Sequence, residues 1–309
     1  MTAALLTAHT LRDAIAQRTR HALQCGALQP IETALTHLDD GGVRFAVREV
    51  SSLARKEAAR RTDASEAAGS QAFQAPRRDP FLPYEDDLYV GDLSSTHVAL
   101  LNKYNVIADH LLIVTRRFVP QEALLDQDDF AALLVALRGF DALGFYNGGP
   151  DAGASQPHKH LQAVPLPLDA AGAAVPIETL LDAAPADGGR VPGLPFAHAF
   201  ARVDLAGGVA TGEAADAQHA LDIYRALLCA ADIGTIEVDG VPHQRTPYNL
   251  LVTRRWMLVV PRETERVEGI ALNALGFAGS LFVRDAAQLE TLARIGPMTA
   301  LARVAKPLC

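Results

Sequence analysis

The stretch Ser155-Gln156-Pro157-His158-Lys159-His160-Leu161-Gln162 is the densest polar cluster of this chain and is set among apolar residues. Side chains alternate between the two faces of a β-strand, so a strand here would place His158, His160 and Gln162 on one face. Lys159 would point to the opposite face, and we leave it out of the candidate chemistry. The pattern therefore predicts one row of three hydrogen-bonding side chains.

A glycine-rich turn, residues 147–155, directly precedes this row. Backbone N–H groups of such a turn can converge on an anion and neutralise charge on phosphate oxygens, while a neutral imidazole supplies a nucleophile. By itself a His-x-His pair is also typical of a structural role, or of a zinc or iron site. Gln162 favours phosphoryl chemistry because glutamine is a poor metal ligand and a good donor to phosphate. We predict no metal ligands.

The composition is that of an ordinary globular protein, with 309 residues, 49% apolar residues and a formal charge of −8. The acidic balance argues against a nucleic-acid partner held by a basic surface. The three cysteines, Cys25, Cys229 and Cys309, are far apart and favour neither a disulfide framework nor a cysteine-rich zinc site. We find no signal peptide or membrane span and predict a cytoplasmic protein.

Strands and helices are mixed along the chain, without a regular βαβ series, and this predicts an α+β fold with a largely antiparallel sheet. Apolar runs at His97–Asn102 and His110–Thr115 flank a polar turn and predict a hairpin. We predict an N-terminal catalytic region over residues 1–168 and a C-terminal region over 196–309 that packs on the same core. Residues 169–195, rich in Ala, Pro, Gly and Asp and without periodicity, are predicted to be a linker.

The run from Asn147 through Gly153 to Gln162 resembles the signature of the diadenosine tetraphosphate (Ap4A) phosphorylases, also called ATP adenylyltransferases, of the histidine-triad superfamily. Residues 101–115 resemble the first hairpin of that fold, and Val50–Lys56 and Asn273–Ser280 are similar to further family segments. The resemblance extends over about residues 43–284. It implies a histidine-triad-like antiparallel sheet with flanking helices, and a C-terminal α/β extension that completes the pocket.

The resemblance also implies an activity, the phosphorolysis of Ap4A to ADP and ATP. His160 would attack the α-phosphorus and form an adenylyl-histidine, His158 would orient and polarise the site, and phosphate would accept the adenylyl group. The reverse reaction and adenylyl exchange are expected as well. Gln162 stands where the hydrolase branch carries a third histidine. Because glutamine neither donates nor takes a proton near neutral pH, we expect it to protect the intermediate from water.

Substrate-binding roles follow from the same resemblance. They fall on Lys56, Asn102, Lys103, Asn147, Gly153, Ala154, Ser155, Gln156, Asn273, Ala274, Leu275, Ser280 and Arg284. Lys56 and Lys103 are the candidates for the polyphosphate, and Asn147 either binds phosphate or caps the turn. Two positions depart from the family pattern, since Arg284 stands where a lysine is usual and Ser280 where a larger apolar residue is common.

We expect no tightly bound cofactor, and Mg²⁺ only as an ion carried by the nucleotide polyphosphate. The expected partners are small molecules, namely Ap4A, ATP, ADP and phosphate, and the oligomeric state is left open. Two alternatives stay open. A hexose-1-phosphate nucleotidylyltransferase shares the His-x-His-x-Gln motif but generally adds a structural metal with Cys/His ligands, whose spacing this chain lacks. A non-catalytic nucleotide-binding module would keep the pocket without turnover.

Overall fold

The computed structural model describes residues 4–50, 79–185, 189–205 and 213–308, and they form an α+β fold. The helices are α1 (Ala8–Cys25), α2 (Gln127–Gly139), α3 (Glu178–Leu181), α4 (Glu213–Ala230), α5 (Ala274–Phe277), α6 (Ala286–Ile295) and α7 (Pro297–Val304). Within these ranges no helix combines the length and the apolar character that crossing a bilayer requires.

The strands of the described ranges belong to one large sheet and three small ones. In chain order they are β1 (Thr33–Asp40), β2 (Val43–Val50), β3 (Tyr89–Asp92), β4 (His97–Leu101), β5 (Leu111–Thr115), β6 (Ala142–Gly148), β7 (His160–Pro165), β8 (Ala199–Arg202), β9 (Thr235–Val238), β10 (Val241–Gln244), β11 (Tyr248–Val252), β12 (Trp256–Pro261), β13 (Arg266–Val267), β14 (Ile270–Ala271) and β15 (Ser280–Val283).

The large sheet has eight strands in the order β3-β4-β5-β7-β6-β11-β12-β8, and every neighbouring pair is antiparallel. A second sheet has the order β1-β2-β15, with β15 parallel to β2. Strands from the first and the second half of the chain meet where β6 pairs with β11. The two halves therefore share one sheet.

Both faces of the large sheet are covered. Helices α1, α2 and α4 pack on one face, and the small β1-β2-β15 sheet with helices α5, α6 and α7 packs on the other. Strand β12 shows the consequence. Met257 and Val259 face the core beneath helices α1, α2 and α4, and Leu258 and Val260 face the core beneath the small β1-β2-β15 sheet. A strand buried on both faces needs no polar residues, which explains its continuous apolar run.

The predicted hairpin and the α+β class are confirmed, and two predictions need correction. The described part of the predicted linker, residues 169–185 and 189–195, is not a spacer, because Val175, Ile177 and Leu181 are buried in the core on the side of the small β1-β2-β15 sheet. This part lacks periodicity since most of its described backbone is irregular and single apolar residues fill the core. The strand predicted from His158 begins at His160, and His158 makes only an isolated bridge to Pro120. The division into two domains stays a prediction.

Candidate active site

A cavity of roughly 440 Å³ lies over strands β4 to β7, a size typical of small-ligand sites. Its walls come from residues 80–88, 102–110, 153–156 and 273–282. The sequence-predicted residues that line it are Asn102, Lys103, Asn147, Gly153, Ser155, Gln156, His160, Gln162, Asn273 and Leu275. The fold therefore brings together positions that are up to about 170 residues apart in the chain.

His160 is a buried imidazole that lines this cavity. Its Nδ1 lies 2.8 Å from the carbonyl oxygen of His158, which can only accept, so Nδ1 carries the proton and Nε2 the lone pair. Burial, the largest cause, lowers the pKa of His160 to about 4. The ring is therefore neutral near pH 7, with Nε2 as its nucleophilic nitrogen.

Gln121 holds the backbone of His160 in place. Its side-chain oxygen accepts from the His160 N–H at 2.9 Å, and its Nε2 donates to the carbonyl oxygens of Asn147, at 2.9 Å, and of His160, at 3.3 Å. Gln121 is fully buried and joins β6 to β7 at the start of the motif strand. The sequence analysis missed it because no local pattern marks a long-range contact of this kind.

His158 is buried behind the nucleophile and does not line the cavity. Its Nε2 lies 2.8 Å from the Thr115 carbonyl oxygen, and its Nδ1 lies 2.8 Å from a carboxylate oxygen of Asp79. The Asp79 carboxylate and the Thr115 carbonyl group therefore hold the ring from both sides. Phe81, also missed by the sequence analysis, packs its ring 5.6 Å from the His158 ring and 5.4 Å from the His160 ring. His158 thus orients His160 through its own carbonyl group.

Gln162 belongs to a chain of hydrogen bonds along the cavity wall. Asn102 Nδ2 can only donate, so Nδ1 of His110, 3.2 Å away, accepts. The proton of His110 is then on Nε2, which donates to the side-chain oxygen of Gln162 at 2.9 Å. Burial lowers the pKa of His110 to about 4, consistent with this neutral form. His110, which is not among the predicted site residues, lines the cavity and fixes the orientation of the Gln162 amide.

The glycine turn has fewer free donors than predicted. The N–H groups of Gly153 and Ala154 already donate to the carbonyl oxygens of Pro150 and Gly149, at 2.8 and 3.1 Å, and Ala154 does not line the cavity. They are therefore corrected from phosphate donors to residues that shape the turn. Within the described ranges, the N–H groups of Ser155 and Gln156 have no protein acceptor recorded.

Glycine is required at position 153 for two reasons. Its φ of +91° lies in the left-handed region, and a Cβ there would come within 2.8 Å of the Cβ of Asn273. Asn273 caps helix α5 by accepting from the Leu275 N–H at 3.1 Å. The close approach brings the turn and the C-terminal segment to the same edge of the cavity.

Asn147 connects the same two segments. Its Oδ1 accepts from the N–H of Ala274, at 3.0 Å, and from Nδ2 of Asn249, at 2.9 Å. Ala274 is buried and contributes this backbone donor and no cavity surface. The oxygen of Asn147 therefore fixes the turn, and its Nδ2 is the atom left for a ligand in the cavity.

Two C-terminal predictions are wrong in placement. Ser280 is completely buried and accepts from Nη1 of Arg48 at 2.7 Å, outside the cavity lining. Arg284 is exposed beyond the end of β15 and also does not line the cavity. Strand β15 pairs with β2. Phe282, which lies between Ser280 and Arg284 in the sequence, is the residue of β15 that reaches the cavity.

The predicted lysines differ in their placement. Lys103 lines the cavity, but its Nζ lies 2.6 and 2.8 Å from the two carboxylate oxygens of Glu85. Lys56 lies outside the described residues. Lys159 points away from the cavity, as predicted, and forms a buried ion pair with Asp129 at 2.7 Å.

Among the described residues, one group of side chains could hold a metal ion, and it lies away from the cavity. It consists of His21, Cys25 and Asp87, all exposed, with their ligand atoms within 4.8 Å of one another. His21 and Asp87 already form a hydrogen bond at 2.7 Å. This surface group has no contact with the candidate chemistry.

Comparison with known proteins identifies the family. The sequence model of the Ap4A phosphorylase N-terminal domain matches residues 1–183, and that of the ATP adenylyltransferase C-terminal domain matches residues 192–307. The chain belongs to the Ap4A phosphorylase family. Ap4A phosphorylases are nucleotidyltransferases, so the predicted family and enzyme class are confirmed.

Two proteins of Saccharomyces cerevisiae are similar to this chain. Diadenosine 5',5'''-P1,P4-tetraphosphate phosphorylase 2 is 28% identical over 69% of this chain and 71% of its own length. Protein APA1 is 26% identical over 88% of this chain and 86% of its own length. The crystal structure of yeast Ap4A phosphorylase Apa2 has a TM-score of 0.74 at 24% identity, covering 97% of this chain and 95% of that one. This likeness supports the fold.

Proposed function

We propose that the protein catalyses phosphorolysis of Ap4A to ADP and ATP through a covalent adenylyl-His160 intermediate, and that it also catalyses the reverse adenylyl transfer. The observation that carries the proposal is the state of His160, a buried, neutral imidazole whose Nδ1 is tied to the His158 carbonyl and whose Nε2 is left for the cavity. The yeast enzyme Apa2, which shares the fold, has been crystallised with Ap4A and with AMP. Nucleotides are therefore the ligands we assign to this cavity.

The first step forms a bond between Nε2 of His160 and the α-phosphorus of Ap4A. The bridging P–O bond on the other side of that phosphorus breaks, and ATP leaves with the electron pair. The imidazole becomes cationic as it attacks. Its Nδ1–H then donates more strongly to the His158 carbonyl, and this stabilises the charge that develops in the transition state.

In the second step an oxygen of inorganic phosphate attacks the same phosphorus. The P–N bond to His160 breaks, ADP leaves, and the imidazole returns to its neutral form. The N–H groups of Ser155 and Gln156 are our candidates to bind the non-bridging oxygens in both steps. We also propose that no tightly bound cofactor takes part and that Mg²⁺ arrives only with the polyphosphate.

Product analysis tests this function directly. Ap4A incubated with phosphate is expected to give ADP and ATP in equal amounts, whereas without phosphate turnover stops after one equivalent of ATP per enzyme. Chromatography of the nucleotides measures both. AMP and ATP formed without phosphate would assign the protein to the hydrolases. Turnover only with a hexose 1-phosphate acceptor would favour the nucleotidylyltransferase alternative. Tight nucleotide binding without any products would favour the non-catalytic module.

Gln162→His is expected to shift the reaction from phosphorolysis towards hydrolysis. A histidine at this position can assist water in attacking the adenylyl-enzyme, and glutamine cannot. The ratio of AMP to ADP formed from Ap4A in phosphate buffer should rise by roughly 10-fold or more, as for one added general base. Gln162→Asn is the control, because it changes the geometry without adding a base. An unchanged ratio in Gln162→His would refute the protective role of Gln162.

A further inference from the structure

Arg262 is a buried guanidinium beneath the glycine turn, and neither the sequence motifs nor the proposed mechanism uses it. It is 1% exposed and directly follows β12. Its nitrogens donate to the carbonyl oxygens of Val304, Ala152, Thr264 and Leu272, at 3.2, 3.4, 2.8 and 2.9 Å. The remaining hydrogen bond goes to Asn249.

Among the described residues no carboxylate contacts the guanidinium of Arg262, although the charges of Glu265 and Asp151 lie near enough to act against the lowering of its pKa. All five of its recorded acceptors are amide or carbonyl oxygens, and the ring of Phe277 lies 5.2 Å from the guanidinium carbon. Burial lowers the pKa of Arg262 to about 10, so the group is charged at neutral pH. A buried cation without a contacting carboxylate has a strong field in its surroundings.

Arg262 also determines which way two buried amides point. A guanidinium only donates, so the atom of Asn249 that lies 2.5 Å from Nη1 is the oxygen. Asn249 Nδ2 then donates to Oδ1 of Asn147, 2.9 Å away, and to the Ala152 carbonyl oxygen at 2.8 Å. With its oxygen held by Asn249 and by the Ala274 N–H, Asn147 is left with its Nδ2 for the cavity.

The same guanidinium joins the two segments that form one edge of the cavity. Ala152 directly precedes Gly153, and Leu272 directly precedes Asn273. Both of these carbonyl groups accept from Arg262. The two segments are close here, since a Cβ on Gly153 would come within 3.1 Å of the Leu272 oxygen. Arg262 therefore acts on the turn and on the direction of the Asn147 amide together.

We propose that Arg262 is a positioning residue for a phosphate group of the nucleotide: acting through Asn249, it turns the amide N–H of Asn147 into the cavity as a donor to a non-bridging phosphate oxygen, and it adds a fixed positive charge below the turn. This inference rests on the proposed function only in taking a nucleotide as the ligand. It explains how a chain with a charge of −8 can hold a polyanion without a basic surface.

The test compares the binding of AMP and of adenosine by isothermal titration calorimetry, because the two ligands differ only in the phosphate. Asn249→Asp is nearly isosteric, neutralises Arg262 and removes the donor to Asn147. Arg262→Lys keeps the charge but cannot reach all of the acceptors. We expect either variant to bind AMP roughly 10-fold or more weakly, as for a lost hydrogen bond to a charged group, while adenosine affinity stays within about 2-fold.

Arg254→Lys is the control, since Arg254 is half-buried and, like Arg262, donates to backbone carbonyls, those of Leu137 and Arg138, away from the cavity. It should bind both ligands as the unaltered protein does. The inference is overturned if AMP affinity is unchanged in Asn249→Asp, or if adenosine affinity falls in parallel, which a purely structural role predicts. If Arg262→Lys does not fold, Asn249→Asp decides alone. An unaltered protein that binds no AMP would instead refute the proposed function.

Discussion

Replacing His160 with alanine is expected to lower the rate of Ap4A phosphorolysis by roughly 10⁴-fold or more, the scale seen when an enzyme loses its nucleophile. The side chain supplies the protein atom proposed to bond to phosphorus, and the hydrogen bond of Nδ1 to the His158 carbonyl prepares that atom for attack. The measurement is the trapping of the enzyme after incubation with labelled Ap4A. A phosphoramidate adduct is labile in acid and stable in alkali, and His160→Ala should form none.

His198→Ala is the matched control for this experiment. His198 is also buried, its Nδ1 also lies 2.7 Å from the carbonyl oxygen two residues before it, and burial also lowers its pKa. It does not line the cavity. The control should keep adduct formation, and His160→Ala should keep AMP binding. An adduct that persists in His160→Ala would show that another residue is the nucleophile.

Asp129→Asn is expected to lower the free energy of unfolding by roughly 3–5 kcal/mol, as for a buried ion pair that loses one partner. Asp129 is completely buried in helix α2 and accepts from Lys159 Nζ at 2.7 Å and from His97 Nε2 at 2.9 Å. Without the carboxylate the Lys159 cation stays buried and uncompensated. Urea denaturation, followed by the fluorescence of the single tryptophan, Trp256, measures the change.

Asp128→Asn is the control, because Asp128 is exposed on the same turn of α2. This substitution should lower the free energy of unfolding by less than about 1 kcal/mol, because it removes only a favourable charge near a helix N-terminus. A denaturation midpoint unchanged by Asp129→Asn would contradict a stabilising ion pair between Asp129 and Lys159.

The network also predicts how stability depends on pH. Burial raises the pKa of Asp129, but the hydrogen bond of His97 and the charge of Lys159 outweigh it and lower that pKa below its ordinary value of 3.8. The folded state therefore binds a proton less readily than the unfolded chain. The contribution of Asp129 to stability is present above pH 3.8 and is lost as the pH falls through the lowered pKa.

The family, the α+β class and the two cavity-facing positions of the motif strand could be predicted from the sequence. The two-residue period of a strand is a local property, so His160 and Gln162 share a face and Lys159 the opposite one whatever the rest of the chain does. The chain has four lysines, and their positions are a weaker guide to the site. Lys103 reaches the cavity but pairs with Glu85, and the cation beneath the turn is Arg262, one of 24 arginines.

The sequence by itself determined the row of polar side chains and the turn that precedes it, because a strand period is read within a few residues, and the resemblance of this motif to the family signature pointed to His160 as the candidate nucleophile. Only the tertiary structure decided the protonation of His160, the hydrogen-bond partners of Gln162 and the direction of the Asn147 amide. These depend on burial and on obligate donors and acceptors that the fold brings together from distant segments, such as Asn102 with His110 and Gln162, and Arg262 with Asn249 and Asn147. A local sequence pattern does not show which group donates and which accepts in such a contact, because that depends on the partner atom across each hydrogen bond.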